Sequence, residues 1–248
     1  MGKWVEGRVI ARHHWTAELF SLRVDAPVET YQAGQFTRLA LDIDGERVAR
    51  PYSYVNAPHE RPLEFYFITV PDGPLTSRMV ELDEGDRIWV QSRAAGLFTL
   101  EWLPDGEDLW LLSTGTALGV FLAILKTEEP WNRYRRVVLV HGVRTGAELT
   151  YRDTIAELQD RHGEQFRTVS LVSREDHSGA LRGRITHAIE DGRLEQAAGL
   201  QLGPETSQVM LCGNPDMVSD TTALLEARGM KRNRRKEPGH ITTEKYWG

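Results

Sequence analysis

The stretch Arg50-Pro51-Tyr52-Ser53-Tyr54 sets four kinds of chemical handle side by side. A fixed guanidinium can hold a phosphate, tyrosine rings can lie flat on a planar heterocycle, and a hydroxyl can hydrogen-bond a ring nitrogen. In an extended strand, side chains alternate with period two, so Arg50, Tyr52 and Tyr54 share a face. Ser53 then looks the other way unless the strand bends, and Pro51 is the expected cause of such a bend. The same pattern also suits a half-buried barrel strand, and these residues alone leave both readings open.

Further candidates lie downstream. Ser113-Thr114-Gly115-Thr116-Ala117-Leu118-Gly119 joins an apolar strand to an apolar helix. Glycine there lets backbone amides approach a phosphate, and the helix N-terminus favours negative charge. It is neither G-x-G-x-x-G nor a P-loop, and a ligand-free strand–helix turn reads the same way. Val172-Ser173-Arg174-Glu175, with Arg182 and Arg184 close behind, suits a phosphate monoester, although surface arginines are common. Leu211-Cys212-Gly213-Asn214-Pro215 puts a thiol at a strand end; a small buried hydrophobe is the ordinary use of such a cysteine. The chain closes on Glu244-Lys245-Tyr246-Trp247-Gly248, and terminal aromatics are costly unless the tail docks on something flat.

The elements that must position these residues differ between the halves. Up to about residue 100, short runs read as strands at Lys3–Arg12, Phe20–Val24, Gln35–Ile43, Arg47–Val55, Leu63–Val70 and Arg87–Ser92. Turn signals at Asp44-Gly45 and Asp72-Gly73 punctuate them, and only Leu75–Glu81 reads as helix. This spacing predicts a small antiparallel barrel or sandwich. After the acidic stretch Glu101–Asp108, strands at Leu109–Ser113, Arg136–Gly142, Arg167–Ser173 and Gln208–Cys212 alternate with helices at Gly119–Thr127, Glu148–Arg161, Ile185–Asp191 and Pro215–Arg228. Such alternation predicts a parallel sheet covered by helices, with ligands at the carboxyl ends of its strands. The expected domains are residues 1–102 and 103–248.

Composition narrows the function classes. A net charge of −6 argues against non-specific nucleic-acid binding as the main task. With one cysteine, Cys212, the chain holds no internal disulfide and no four-cysteine cluster or zinc site; no metal is expected. The longest apolar run, Ala117–Leu125, is too short to span a bilayer, and the N-terminal residues lack the apolar core of a signal peptide. A soluble, cytoplasmic protein without membrane association is expected. Against the acidic background, Arg228, Lys231, Arg232, Arg234, Arg235 and Lys236 form a basic run. It reads either as a solvated loop or as a steering patch for an acidic partner.

Taken in order, these pieces resemble the ferredoxin–NADP reductase family, in particular its short bacterial ferredoxin/flavodoxin–NADP reductases. The resemblance rests on Trp4-Val5, Ala33-Gly34-Gln35-Phe36-Thr37, Arg50 to Pro58, Thr114 to Gly119, Leu211 to Pro215 and Tyr246-Trp247. It implies an FAD-binding antiparallel β-barrel, then an α/β parallel-sheet domain that binds NADP(H) and whose tail returns to the flavin. The implied activity is electron transfer between NADP(H) and an acidic ferredoxin or flavodoxin through FAD, with hydride passing between nicotinamide C4 and flavin N5. A monomer is expected.

By the same resemblance, Arg50 would meet the FAD pyrophosphate with Pro51 beside it in the FAD site, Tyr52 would stack on the isoalloxazine, and Ser53 would bond near N5. Tyr66, Phe67, Ile68 and Thr69 would line the flavin site, Leu75 and Thr76 would hold its phosphate or adenine end, and Thr116 would touch it from the other domain. Cys212 would sit beside the reacting nicotinamide carbon and Glu244 near the flavin. Tyr246 would stack on the ring and Trp247 would cover the adenine. Arg144, Ser173, Arg174 and Arg184 would contact NADP, the last three near its 2′-phosphate. Val120 stands where the family usually has proline, and Pro74 removes an amide that relatives often have. A reductase component serving an oxygenase or another redox partner is the alternative activity, and a non-catalytic nucleotide-binding module is the alternative class.

Overall fold

Six strands form the first half of the fold: β1 (Trp4–His14), β2 (Leu19–Asp25), β3 (Phe36–Ile43), β4 (Glu46–Ser53), β5 (Leu63–Ile68) and β6 (Arg87–Gln91). The computed structural model describes residues 2–246; Trp247 and Gly248, and with them the expected cover over the adenine, lie outside the described residues. The strands build one antiparallel sheet in the order β4-β3-β6-β1-β2-β5. Val9, Leu22, Val24, Leu39, Phe65, Ile88 and Val90 alternate along them and are wholly buried in one core. The β3–β4 hairpin closes through Asp44 and Gly45, both at positive φ (51° and 85°), as a tight primed turn requires.

The sequence suggests one strand from Arg47 to Val55, but β4 pairs with β3 only as far as Ser53↔Phe36. Tyr54 then bridges Phe65 on β5, so the chain changes partner and links the two edges of the sheet. Tyr52 and Tyr54 both join the core, as period two demands, while Ser53 is half-buried outside it. Helix α1 (Thr76–Met79) is a single turn, shorter than the expected Leu75–Glu81.

The second half contains β7 (Asp108–Thr114), β8 (Arg136–Val143), β9 (Phe166–Val172), β10 (Leu181–Arg182), β11 (Ser207–Gly213) and β12 (Ile241–Lys245). All pairs are parallel, in the order β10-β9-β8-β7-β11-β12. Its helices are α2 (Leu118–Leu125), α3 (Glu129–Arg133), α4 (Arg152–His162), α5 (Ile185–Glu190), α6 (Arg193–Ala198) and α7 (Pro215–Ala227). Trp110, Leu112, Val138, Val140, Ile185, Val209, Leu211 and Leu225 pack together at its centre.

Helix α7 begins as its sequence requires. Asn214 Oδ1 accepts from the amides of Asp216 (2.9 Å) and Met217 (3.1 Å), and Pro215 opens the first turn. Helix α4 starts at Arg152 rather than Glu148, because Tyr151 sits at φ 54°, a left-handed conformation that a helix cannot contain. Two compact units result: Met1–Thr99 with Leu122–Thr127, and Leu100–Phe121 with Glu128–Gly248.

Candidate functional site

Within the first unit, Arg50 is exposed on β4, and its Nη1 donates to the Ala49 carbonyl (2.8 Å). Among the described residues it meets no carboxylate, so its charge is available to an anion. Pro51 beside it is exposed, while Tyr52 is buried edge-on to Phe67 with ring centres 6.0 Å apart. Burial pushes the Tyr52 phenol above its ordinary range. The stretch 66–69 divides by period two. Phe67 points into the barrel core with Phe20, whereas Tyr66 is buried outside that core, edge-on to Trp15. Ile68 is half-buried at the end of β5.

Thr69 and the loop after it surround a polar spot. The Thr69 amide donates to Glu18 O (2.8 Å), yet its Oγ1 is buried with no partner among the described residues. Thr76 Oγ1 accepts from the Val70 amide (3.0 Å) and fixes the loop's return. Leu75 is a core side chain, 2% exposed, so only its backbone is left to address a ligand. An unpaired cation at Arg50 and an orphaned hydroxyl at Thr69 fit a bound phosphate-bearing cofactor.

In the second unit, every parallel strand ends on one edge of the sheet. That edge gathers Thr116 after β7, Arg144 after β8, Ser173 and Arg174 after β9, and Cys212 at the end of β11, with Glu244 beside it on β12. Strand order reverses at β7, with β8 on one side and β11 on the other, which is where such sheets hold nucleotides. Here the turn Thr114-Gly115-Thr116 meets Gly213. The Asn214 amide donates to Thr114 Oγ1 (2.8 Å), and position 213 admits only glycine, because it sits at φ 133° and any Cβ there would collide with Thr114.

Ser173 and the arginines lie together through strand register. Arg182 on β10 is level with Val172 on β9, and the Gly183 amide donates to Val172 O (2.9 Å). Arg184 follows directly and opens the next helix, at the same end of the sheet as Ser173 and Arg174. Arg174 and Arg184 are exposed and make no ion pair among the described residues, as a dianionic phosphate requires of its site. Arg182 instead pairs loosely with Asp176 (3.8 Å), and Arg144 is bound through Nε to Glu148 (2.9 Å).

Cys212 and Glu244 form the most perturbed pair. They are register partners, and the Tyr246 amide donates to Gly213 O (3.0 Å), which carries the tail along the same edge. Burial, aided by the Glu244 charge, pushes the Cys212 thiol well up, so it stays protonated at neutral pH and is no thiolate nucleophile. Burial likewise pushes the Glu244 carboxyl up to about 7, and its Oε2 is buried with no donor among the described residues. That lone acceptor fits a ligand offering an N–H group.

His141, on β8, is absent from the sequence-based candidates. Its Nε2 lies 3.1 Å from Gly115 O, which fixes the proton on Nε2, and burial pushes the ring down to about 4. A lone histidine in the apolar run Val137–Gly142 was the available signal. It underpins the β7 turn from below.

Comparison with known proteins agrees with this division. Residues 9–97 match the family described as oxidoreductase FAD-binding domain, and residues 111–223 the oxidoreductase NAD-binding domain. Flavodoxin/ferredoxin–NADP reductases of Shigella flexneri and Escherichia coli are 51% and 50% identical, over the whole of both chains. A crystal structure of a ferredoxin NADP+ reductase from Neisseria gonorrhoeae with bound FAD and NADP superimposes with a TM-score of 0.92 at 33% identity, covering 99% of each chain. Barrel, parallel sheet and end-to-end identity lead to one assignment: this chain belongs to the flavodoxin/ferredoxin–NADP reductase family.

Proposed function

We propose that this chain carries electrons between NADP(H) and a one-electron protein carrier, a ferredoxin or a flavodoxin, through FAD. The observation that carries the reading is full-length identity of about half with reductases of that name, in a chain whose parallel-sheet edge gathers Arg144, Ser173, Arg174, Cys212 and Glu244. Residues 1–102 serve as the FAD-binding domain and residues 103–248 as the NADP(H)-binding domain. Bound FAD supplies the exchange between hydride chemistry at the nicotinamide and single-electron transfer to the carrier.

The chain's own residues bind, orient and hold protons. Arg50, with Pro51 stiffening the strand beside it, neutralises the pyrophosphate. Tyr52 would stack on the flavin ring, and Ser53 would offer a hydroxyl to its edge. Tyr66, Ile68 and Thr69 would wall the site, with Phe67 behind them in the core and Thr76 and the Leu75 backbone at its margins. Arg144 contacts the dinucleotide, and Ser173, Arg174 and Arg184 select the 2′-phosphate that distinguishes NADPH from NADH. Cys212, kept neutral by burial, packs at the nicotinamide without competing as a nucleophile. Glu244, titrating at about 7, can hold or release a proton at working pH.

The protein acts as a cytoplasmic monomer; among the described residues no helix is long and apolar enough to cross a membrane. NADPH-driven reduction of purified ferredoxin and flavodoxin, measured beside an oxygenase component, tests the reading. Reduction of either small carrier supports it, and electron delivery to the oxygenase alone would replace it with the alternative. For nucleotide choice, Arg174→Ala should raise the NADPH KM with little change for NADH; an unchanged preference would move the phosphate site elsewhere.

A further inference from the structure

The loop bearing Arg174 is stitched to the loop bearing Arg144 by bonds that no substrate has to supply. Beyond the end of their pairing, β8 and β9 continue to hydrogen-bond: Ser173 N donates to Val143 O (3.0 Å) and Arg174 N to Arg144 O (2.9 Å). The next residue, Glu175, then reaches across, and its Oε1 accepts from the Gly146 amide at 2.7 Å. His177 lies against Gly146 so closely that any side chain at position 146 would collide with its ring. Arg152 closes the arrangement, donating to Gly146 O (3.2 Å) with His177 Nε2 3.3 Å away. The receiving loop is itself held, since both Glu148 oxygens accept from Arg144, one from its amide (3.0 Å) and one from Nε (2.9 Å).

We infer that Glu175 is a positioning residue for NADPH: by pinning the Arg174 loop to Gly146 N, it presents Arg174 ready-made to the 2′-phosphate. The inference rests on the assignment of Arg174 to that phosphate. Two effects of the carboxylate oppose each other. Its charge, one residue from Arg174, disfavours an incoming dianion, so a glutamate is a poor choice unless its hydrogen bond matters more. Its bond to a backbone amide spares the ligand the cost of ordering the loop. Glutamine separates the two, because its carbonyl can still accept from Gly146 N while its charge is gone; alanine loses both.

Steady-state kinetics of the FAD-loaded enzyme with NADPH and NADH, reducing a small dye, test this in Glu175→Ala, Glu175→Gln and Arg174→Ala. Glu175→Ala should raise the NADPH KM by roughly two- to tenfold, the scale of one newly disordered long side chain. It should leave kcat and the NADH KM unchanged. Glu175→Gln should stay at or below the wild-type NADPH KM. An unchanged or lowered NADPH KM in Glu175→Ala, or a rise in Glu175→Gln equal to that in Glu175→Ala, would overturn the positioning role. If Arg174→Ala raises the NADPH KM while Glu175→Ala does not, the inference fails and the phosphate site stands. If Arg174→Ala itself changes nothing, both fall together.

Discussion

Half-buried Glu244 and fully buried His141 lie in one sheet, and their titrations push stability in opposite directions. The Glu244 carboxyl moves from 4.5 to about 7 on folding, so the native state keeps a proton that the unfolded chain releases. Stability therefore falls as pH rises from about 4.5 to about 7. Glu244→Gln should remove that fall, with a thermal midpoint that gains on wild type by an amount worth about 3 kcal/mol above pH 7. A pH-independent difference between the two proteins would refute the buried-carboxyl account. His141 moves from 6.5 to about 4, so the native state refuses a proton that the unfolded chain accepts. Stability is then lost as pH falls from about 6.5 toward 4, and His141→Gln should flatten that acid limb in the same unfolding series. Neither behaviour was legible in the sequence, because both shifts come from burial that only the fold creates. The types were partly legible: Ser53 stands out as a hydroxyl between two tyrosines, Cys212 reads as a small buried hydrophobe, and Glu244 takes its role from the family resemblance, whereas Glu148, four residues after Arg144, reads as a helix start and is that arginine's partner.

At the scale of elements, the junction of β7 and β11 depends on one glycine. Gly213 combines φ 133° with contact against Thr114, so Gly213→Ala meets both backbone strain and a clash. Its expected cost is roughly 3 kcal/mol in denaturant unfolding. A loss under about 0.5 kcal/mol, the ordinary size for a surface change, would mean that the turn is more pliable than drawn. The strong elements were readable because local and global signals agree in them. Helix α7 carries a cap, a first-turn proline and an apolar stripe, and β7 and β8 are built on the apolar runs Leu109–Leu112 and Val137–Val140. What escaped was short or decided by distant partners. Strand β10 has two residues, too few to show a period, and α3 and α6 have five and six. Strand β12 carried a β-branched run, Ile241-Thr242-Thr243, but its pairing with β11 lies about thirty residues away in sequence. The end of β4 at Ser53 was likewise set by Phe65 on another strand.

Over the whole molecule, charge is unevenly spent. Of the six cations between Arg228 and Lys236, two are ion-paired among the described residues, Arg228 to Glu195 (2.9 Å) and Arg232 to Glu226 (2.9 Å), and a third, Arg235, lies over the Trp102 ring, 5.7 Å from its centre. Lys231, Arg234, Arg235 and Lys236 remain exposed on a chain of net charge −6. If they steer an acidic carrier, neutralising these four should slow carrier reduction steeply at low salt and spare NADPH oxidation by a small dye. Equal loss in both assays would show a fold defect instead of steering. The two-domain organisation was the most legible property, since period-two runs give way to strand–helix alternation after Glu101–Asp108 and each pattern dictates its own sheet. The central claim, FAD-mediated electron transfer selective for NADPH, is tested most directly by anaerobic stopped-flow reduction of the purified yellow protein. Bleaching of the flavin absorbance should be at least tenfold faster with NADPH than with an equal concentration of NADH, on the order of the discrimination that a lost charged contact gives. A colourless protein, or equal rates with the two nucleotides, would contradict it.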